Sequence, residues 1–171
     1  MKALAPDEKI ALVMVYTNNM LARGELIAKE NARVSIWLRT QGVSNYIHLY
    51  KPQVISFLGA APKIFSMSEM FVPVVQVVAF HLAPPAQDPL DYEANEGNRI
   101  MQPLDVMISS FLMKGRIRIS TQTDVGTSLD VMRASWMSFY EVNISNPFLP
   151  QFNVHVPMLL VNPNHVNLGI V

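Results

Sequence analysis

Lys114, Arg116 and Arg118 stand at every second position of one short stretch. A period of two places all three on one face of a strand. Cationic side chains so aligned can meet phosphate or carboxylate oxygens, and aromatics on a nearby strand would complete a surface for single-stranded nucleic acid. The competing reading is a plain solvated strand face. The matching positions of the first half hold Arg23, Glu25 and Ile27, and 13 Lys and Arg balance 13 Asp and Glu. Zero formal charge removes any global electrostatic case for nucleic acid or anionic membrane.

His81 and His165 form a second candidate pair. Each follows a Val-Pro step at the same distance, from Pro73 and from Pro157. A metal between them would need further ligands, and no HxH, HExxH or carboxylate cluster lies nearby. Both are expected to be structural residues, hydrogen-bonded locally in turns or at strand ends. His48 and His155 have no counterparts in the other half. The absence of cysteine excludes disulfides, thiolate catalysis and cysteine zinc sites. No Gly-x-Ser-x-Gly elbow or glycine-rich phosphate loop occurs. The expectation is therefore a protein that is not an enzyme and carries no cofactor.

The elements that would position these residues repeat. Phe71-Val72-Pro73 through His81-Leu82 returns as His155-Val156-Pro157 through His165-Val166. Upstream, Arg23-Gly24-Glu25-Leu26 aligns with Lys114-Gly115-Arg116-Ile117, and Tyr46 and Tyr50 align with Trp136 and Tyr140. Gly24 and Gly115, inside expected strands, predict a bulge, a bend or a close backbone contact. The reading is a lead-in over 1–11, a β-rich repeat over 12–82, a linker over 83–104 and a second repeat over 105–171.

Within each repeat, the pattern predicts about four strands and one short helix. Val34, Trp37, Leu38 and Gln41 share a helical face. Thr127-Ser128-Leu129-Asp130 resembles a capping box, with Leu129, Met132 and Trp136 facing inward. Pro52 suggests an edge strand. A loop is expected from Ser56 to Met70, and a last strand running on from Pro73 through Phe80. Pro84, Pro85, Asp88, Pro89, Asp91, Glu93, Glu96 and Pro103 predict an extended, acidic linker that drapes over the more basic first repeat.

Basic-Gly-x-Leu/Ile (Arg23–Leu26, Lys114–Ile117), a short Ser-containing helix and a strand ending in Val161-Asn162-Pro163-Asn164-His165-Val166 together resemble a small uncharacterised bacterial β-rich domain, here in tandem. That resemblance implies no activity, cofactor or site residues. The fold class expected is mainly β: two tandem modules related by a pseudo-twofold axis, each a β-rich α+β unit or a partly open barrel similar in outline to Sm-like or SH3-like barrels.

Half of the residues are hydrophobic and 15% charged, more apolar side chain than small modules can hide. Eleven methionines are expected mostly as core filling, with a few at an adaptable contact surface. The first expectation for function is a non-enzymatic scaffold or protein-interaction module in a homo-oligomer or larger assembly. An anion- or nucleic-acid-binding strand face is the alternative, and a small-ligand sensor with its pocket between the repeats is a third. Charge appears too early, at Lys2, Asp7 and Glu8, for a secretory leader. No apolar stretch is long enough to span a bilayer as a helix. A cytoplasmic protein is expected.

Overall fold

The computed structural model describes residues 4–40, 42–132 and 134–170. Gln41, assigned above to a helical face, lies outside them. The chain is mainly β and divides into two compact units, Met1–Asp88 and Pro89–Val171. No described helix is long and apolar enough to cross a membrane.

The first unit opens with β1 (Glu8–Tyr16) and β2 (Met20–Lys29), an antiparallel hairpin turning at Thr17–Asn19. The Thr17 hydroxyl and Asn19 carboxamide hydrogen-bond each other there, the local chemistry that favours such residues in turns. The lead-in therefore ends earlier than expected. Pro6-Asp7 makes a turn into β1.

A 3₁₀ helix, Val34–Arg39, replaces the α-helix expected there. Val34 and Leu38 still point inward, while Trp37 lies 6.3 Å from the Phe80 ring. β3 (Tyr46–Ser56) pairs with β2 on one side and with β4 (Lys63–Ser66) and β5 (Glu69–Pro73) on the other. The supposed loop from Ser56 to Met70 thus contains one strand and the start of another. Pro52 is not on an edge strand.

After Pro73 the backbone breaks into a 3₁₀ turn, Val74–Gln76, before β6 (Ala79–Leu82) pairs with β1. The continuous apolar run expected from Pro73 is really the end of one strand, a turn and another strand. Strand order in this unit is β6-β1-β2-β3, with β4 and β5 together flanking β3.

In the second unit, β7 (Arg99–Ile108) and β8 (Phe111–Ser120) form a long hairpin. β7 begins inside the segment read as linker. α1 (Val125–Val131) is capped by Asp124, whose carboxylate accepts the Thr127 N–H at 2.7 Å. That bond holds the carboxyl below its ordinary range. The capping residue is therefore Asp124, not Thr127, and Val125 is the helix residue that is buried.

β9 (Met137–Ser145) pairs with β8 and β10 (Asn153–Val161), and β11 (Asn167–Gly169) pairs with β7. The order here is β11-β7-β8-β9-β10. Among the described residues the first unit has six strands and the second five, against about four expected for each. Every pairing within either unit is antiparallel. Val13, Leu49 and Phe80 in one unit, and Met113, Phe139 and Leu159 in the other, have no exposed surface.

Candidate functional site

Burial along β8 alternates as its sequence does. Met113, Ile117 and Ile119 are buried, while Lys114 and Arg116 are exposed and Arg118 is partly covered. The outer face of β8 therefore carries the three basic residues.

Beside them, β9 contributes Ser138 and Tyr140, both nearly inaccessible despite facing the same way. What covers them is the acidic stretch between residues 91 and 96. Asp91 accepts a hydrogen bond from the Ser138 hydroxyl at 2.6 Å and another from the Tyr140 phenol at 2.7 Å. The Tyr92 ring meets Tyr140 edge-on at 5.0 Å, and the Arg118 guanidinium lies 4.7 Å above the Tyr92 ring. Arg118 also donates to a Glu96 carboxylate oxygen at 2.8 Å and to the Glu93 carbonyl at 3.0 Å.

A charged hydrogen bond and a cation–π contact on one guanidinium fix this strap on the sheet. The acidic segment thus rests on the second unit, correcting the expectation that it drapes over the first. Asp88, the last residue of the first unit, accepts the Ser35 N–H at 2.8 Å. Lys114 and Arg116 lie beyond the strap and make no ion pair among the described residues, although Asp105 is the cross-strand partner of Lys114.

The two glycines share a single device. Between Arg23 and Glu25 the register with β3 shifts, so that Lys51 and Pro52 together oppose Gly24. Between Lys114 and Arg116, Glu141 and Val142 oppose Gly115 in the same way. The extra residue lies on the facing strand, and Lys51 and Glu141 take positive φ values of 47° and 51°. Each glycine sits opposite the bulge, where that strand approaches closely. A Cβ on Gly115 would stand 2.8 Å from the Tyr140 carbonyl oxygen, and one on Gly24 would stand 3.1 Å from the Leu49 Cβ. Close approach, one of the roles expected for these glycines, is the one they fill.

The histidine and proline anchors are not equivalent positions. His81 sits within β6, fully buried and opposite Met14 of β1. His165 ends an exposed 3₁₀ turn, Pro163–His165. In the sheet pairing, the position answering to His81 is Gly169, opposite Asp105 of β7. Pro73 ends β5, whereas Pro157 is interior to β10. Similar sequence spacing concealed a different number of residues in the intervening strands.

His81 Nδ1 lies 2.7 Å from the Leu82 carbonyl oxygen, which can only accept, so that nitrogen carries the proton. Nε2 then accepts from the Tyr16 hydroxyl at 3.0 Å. Burial lowers the His81 pKa to about 4 and pushes the Tyr16 phenol well above its ordinary value. This pair is a neutral, satisfied part of the core, with no solvent route to a substrate.

A third cluster, missed in the sequence, occupies the outer face of β3 and β5. His48 stacks on Phe71 at 4.1 Å and contacts Tyr50 at 4.2 Å, with Nε2 lying 2.8 Å from a Glu69 carboxylate oxygen. Tyr46 and Phe71 remain 51% and 58% exposed. The alternation of Tyr46, His48 and Tyr50 was the available signal. On β10, His155 lies 3.1 Å from the Asn143 carboxamide oxygen. Among the described residues, no group of three or more potential ligands could hold a metal ion.

Comparison with family models finds no match for this chain, and searches of curated proteins and of solved structures find none either.

Proposed function

We propose that this chain is a non-enzymatic interaction module that associates with a second copy through the outer edge of its first unit. The observation that carries the reading is the apolar edge formed by β4 and β5. Both strands pair only with β3 among the described residues. Leu58, Ile64, Phe65, Met67, Phe71 and Val75 all lie exposed on or beside that edge, with Ile64 at 73%.

An unpaired strand offers a row of backbone donors and acceptors, and most proteins blunt it with charge. Here only Lys63 and Glu69 do so, and Glu69 is engaged by His48. Zero net charge adds no repulsion between copies. Burying about 800 Å² per partner would be a normal remedy for such a surface.

Two further parts of the reading accompany this one. The two units are related by duplication, supported by their corresponding strand connections and by the glycine opposite a bulge in each. A cytoplasmic setting agrees with the lack of cysteine.

Sedimentation velocity at micromolar concentration tests association. The wild type is expected as a dimer or larger species, and Ile64→Asp with Phe71→Asp as a monomer of unchanged circular dichroism. A monomeric wild type would overturn the reading.

A further inference from the structure

The acidic strap leaves part of its own binding surface unused. Its Asp91 carboxylate takes two hydroxyl donors, from Ser138 and Tyr140. Its Tyr92 ring fills the space between Tyr140 and Arg118, and its Glu96 carboxylate pairs with Arg118. These contacts make a small receptor for a carboxylate, an aromatic ring and a second carboxylate in extended sequence. Farther along the same face of β8, Arg116 and Lys114 are exposed and form no ion pair among the described residues.

We propose that the outer face of β8 and β9 is a docking surface for acidic peptide segments, occupied in cis by residues 91–96 until a longer segment displaces them. The cis contacts show which chemistry the face accepts: carboxylates and an aromatic ring, in a chain without regular structure. The charge pattern supplies the reason for exchange. An acidic segment reaching from the Arg118 position to Arg116 and Lys114 gains two ion pairs that the strap does not make. Exposed pairs each contribute little, so the exchange is reversible and favours the more acidic competitor. The strap also competes at the high effective concentration of a tethered ligand. Weak acidic segments are therefore excluded. This surface is separate from the β4–β5 edge, and its test does not depend on self-association.

The probe is a fluorescein-labelled peptide copying residues 88–98, extended by three glutamates, titrated into the full-length chain and read by anisotropy. Loosening the strap with Asp91→Asn and Glu96→Gln is expected to tighten binding about tenfold over wild type, the equivalent of roughly 1.4 kcal/mol. Adding Lys114→Glu and Arg116→Glu to that background is expected to return affinity to the wild-type level or below. Equal affinity for the wild-type and loosened chains would overturn the proposal. So would indifference to the charge reversals, or a single-stranded oligonucleotide of equal length binding the loosened chain more tightly. If the double variant lost its near-ultraviolet dichroism, Glu96→Gln alone, which leaves Asp91 on its two hydroxyls, would carry the same comparison.

Discussion

The outer faces of β3 and β9 begin alike and end differently. In the first unit Tyr46, His48 and Tyr50 alternate outward, and Tyr46 and Phe71 stay open to solvent. In the second, Ser138 and Tyr140 occupy the matching strand and disappear beneath Asp91 and Tyr92. The stretch preceding β7 folds back over its own sheet and covers the second face, whereas the first keeps the Tyr46 and Phe71 rings in water.

The largest expected effect separates the units by acid. His81 is held neutral in the first unit, with its pKa lowered by burial to about 4 from an ordinary 6.5. Because the folded state disfavours the proton, stability is complete above pH 6.5 and falls as the pH drops toward 4. The full loss is about 3 kcal/mol. Each unit holds one tryptophan, Trp37 or Trp136. In single-tryptophan variants, Trp37 fluorescence should respond to this acidification before Trp136, and His81→Gln should flatten the response. Simultaneous change of both signals would erase this distinction.

Gly115→Ala comes next. Its new methyl would meet the Tyr140 carbonyl at 2.8 Å, a Phe139 ring carbon at 2.9 Å and a Val142 methyl at 3.0 Å. Backbone cannot retreat cheaply, and a loss of about 2 kcal/mol is expected. Gly24→Ala meets its nearest atom at 3.1 Å and should cost less than about 1 kcal/mol. Urea midpoints of the two variants check the order, and a larger cost at Gly24 would reverse it.

Asp91→Asn should destabilise by about 1 kcal/mol through a weakened pair of hydrogen bonds. The change should appear as faster hydrogen exchange in the backbone of residues 91–96, with the first unit unaffected.

The smallest effect concerns Lys51→Gly and Glu141→Gly. Either removes the cost of a left-handed side-chain residue while freeing the unfolded chain, leaving a gain below about 1 kcal/mol. The two should agree in sign, since both φ values are near 50°.

Much of the β character was legible because alternation survives wherever one face is wet. Lys114 to Ile119 shows it directly, and the matched glycines were recognisable for the same reason. The edge strands were not. β4 is exposed along its whole length, so its residues carry no inside-outside contrast to read. The histidine correspondence failed on a different ground. Burial of His81 follows from its pairing with Met14, a contact sixty-odd positions away in sequence that no local spacing encodes. In the sequence the strap is visible only as composition. Its proline and acid content predicted an extended path, but the two hydroxyls that receive Asp91 lie on a strand far along the chain.

The residue inserted at Glu141 settles more than a local twist. Before it, Phe139 points into the core while Ser138 and Tyr140 point out; after it, Val142 and Ile144 point in while Asn143 and Ser145 point out. Deleting that one residue and keeping the pairing on its C-terminal side would invert the earlier half of β9. Phe139 would then be presented to water, and the two hydroxyls would enter the core. Restoring the lost position elsewhere in β9 would leave Gly115 facing ordinary strand, free to become a larger residue. The glycine and the insertion are therefore linked as heritable characters. A lineage can keep both or replace both, and each change made alone carries its own penalty.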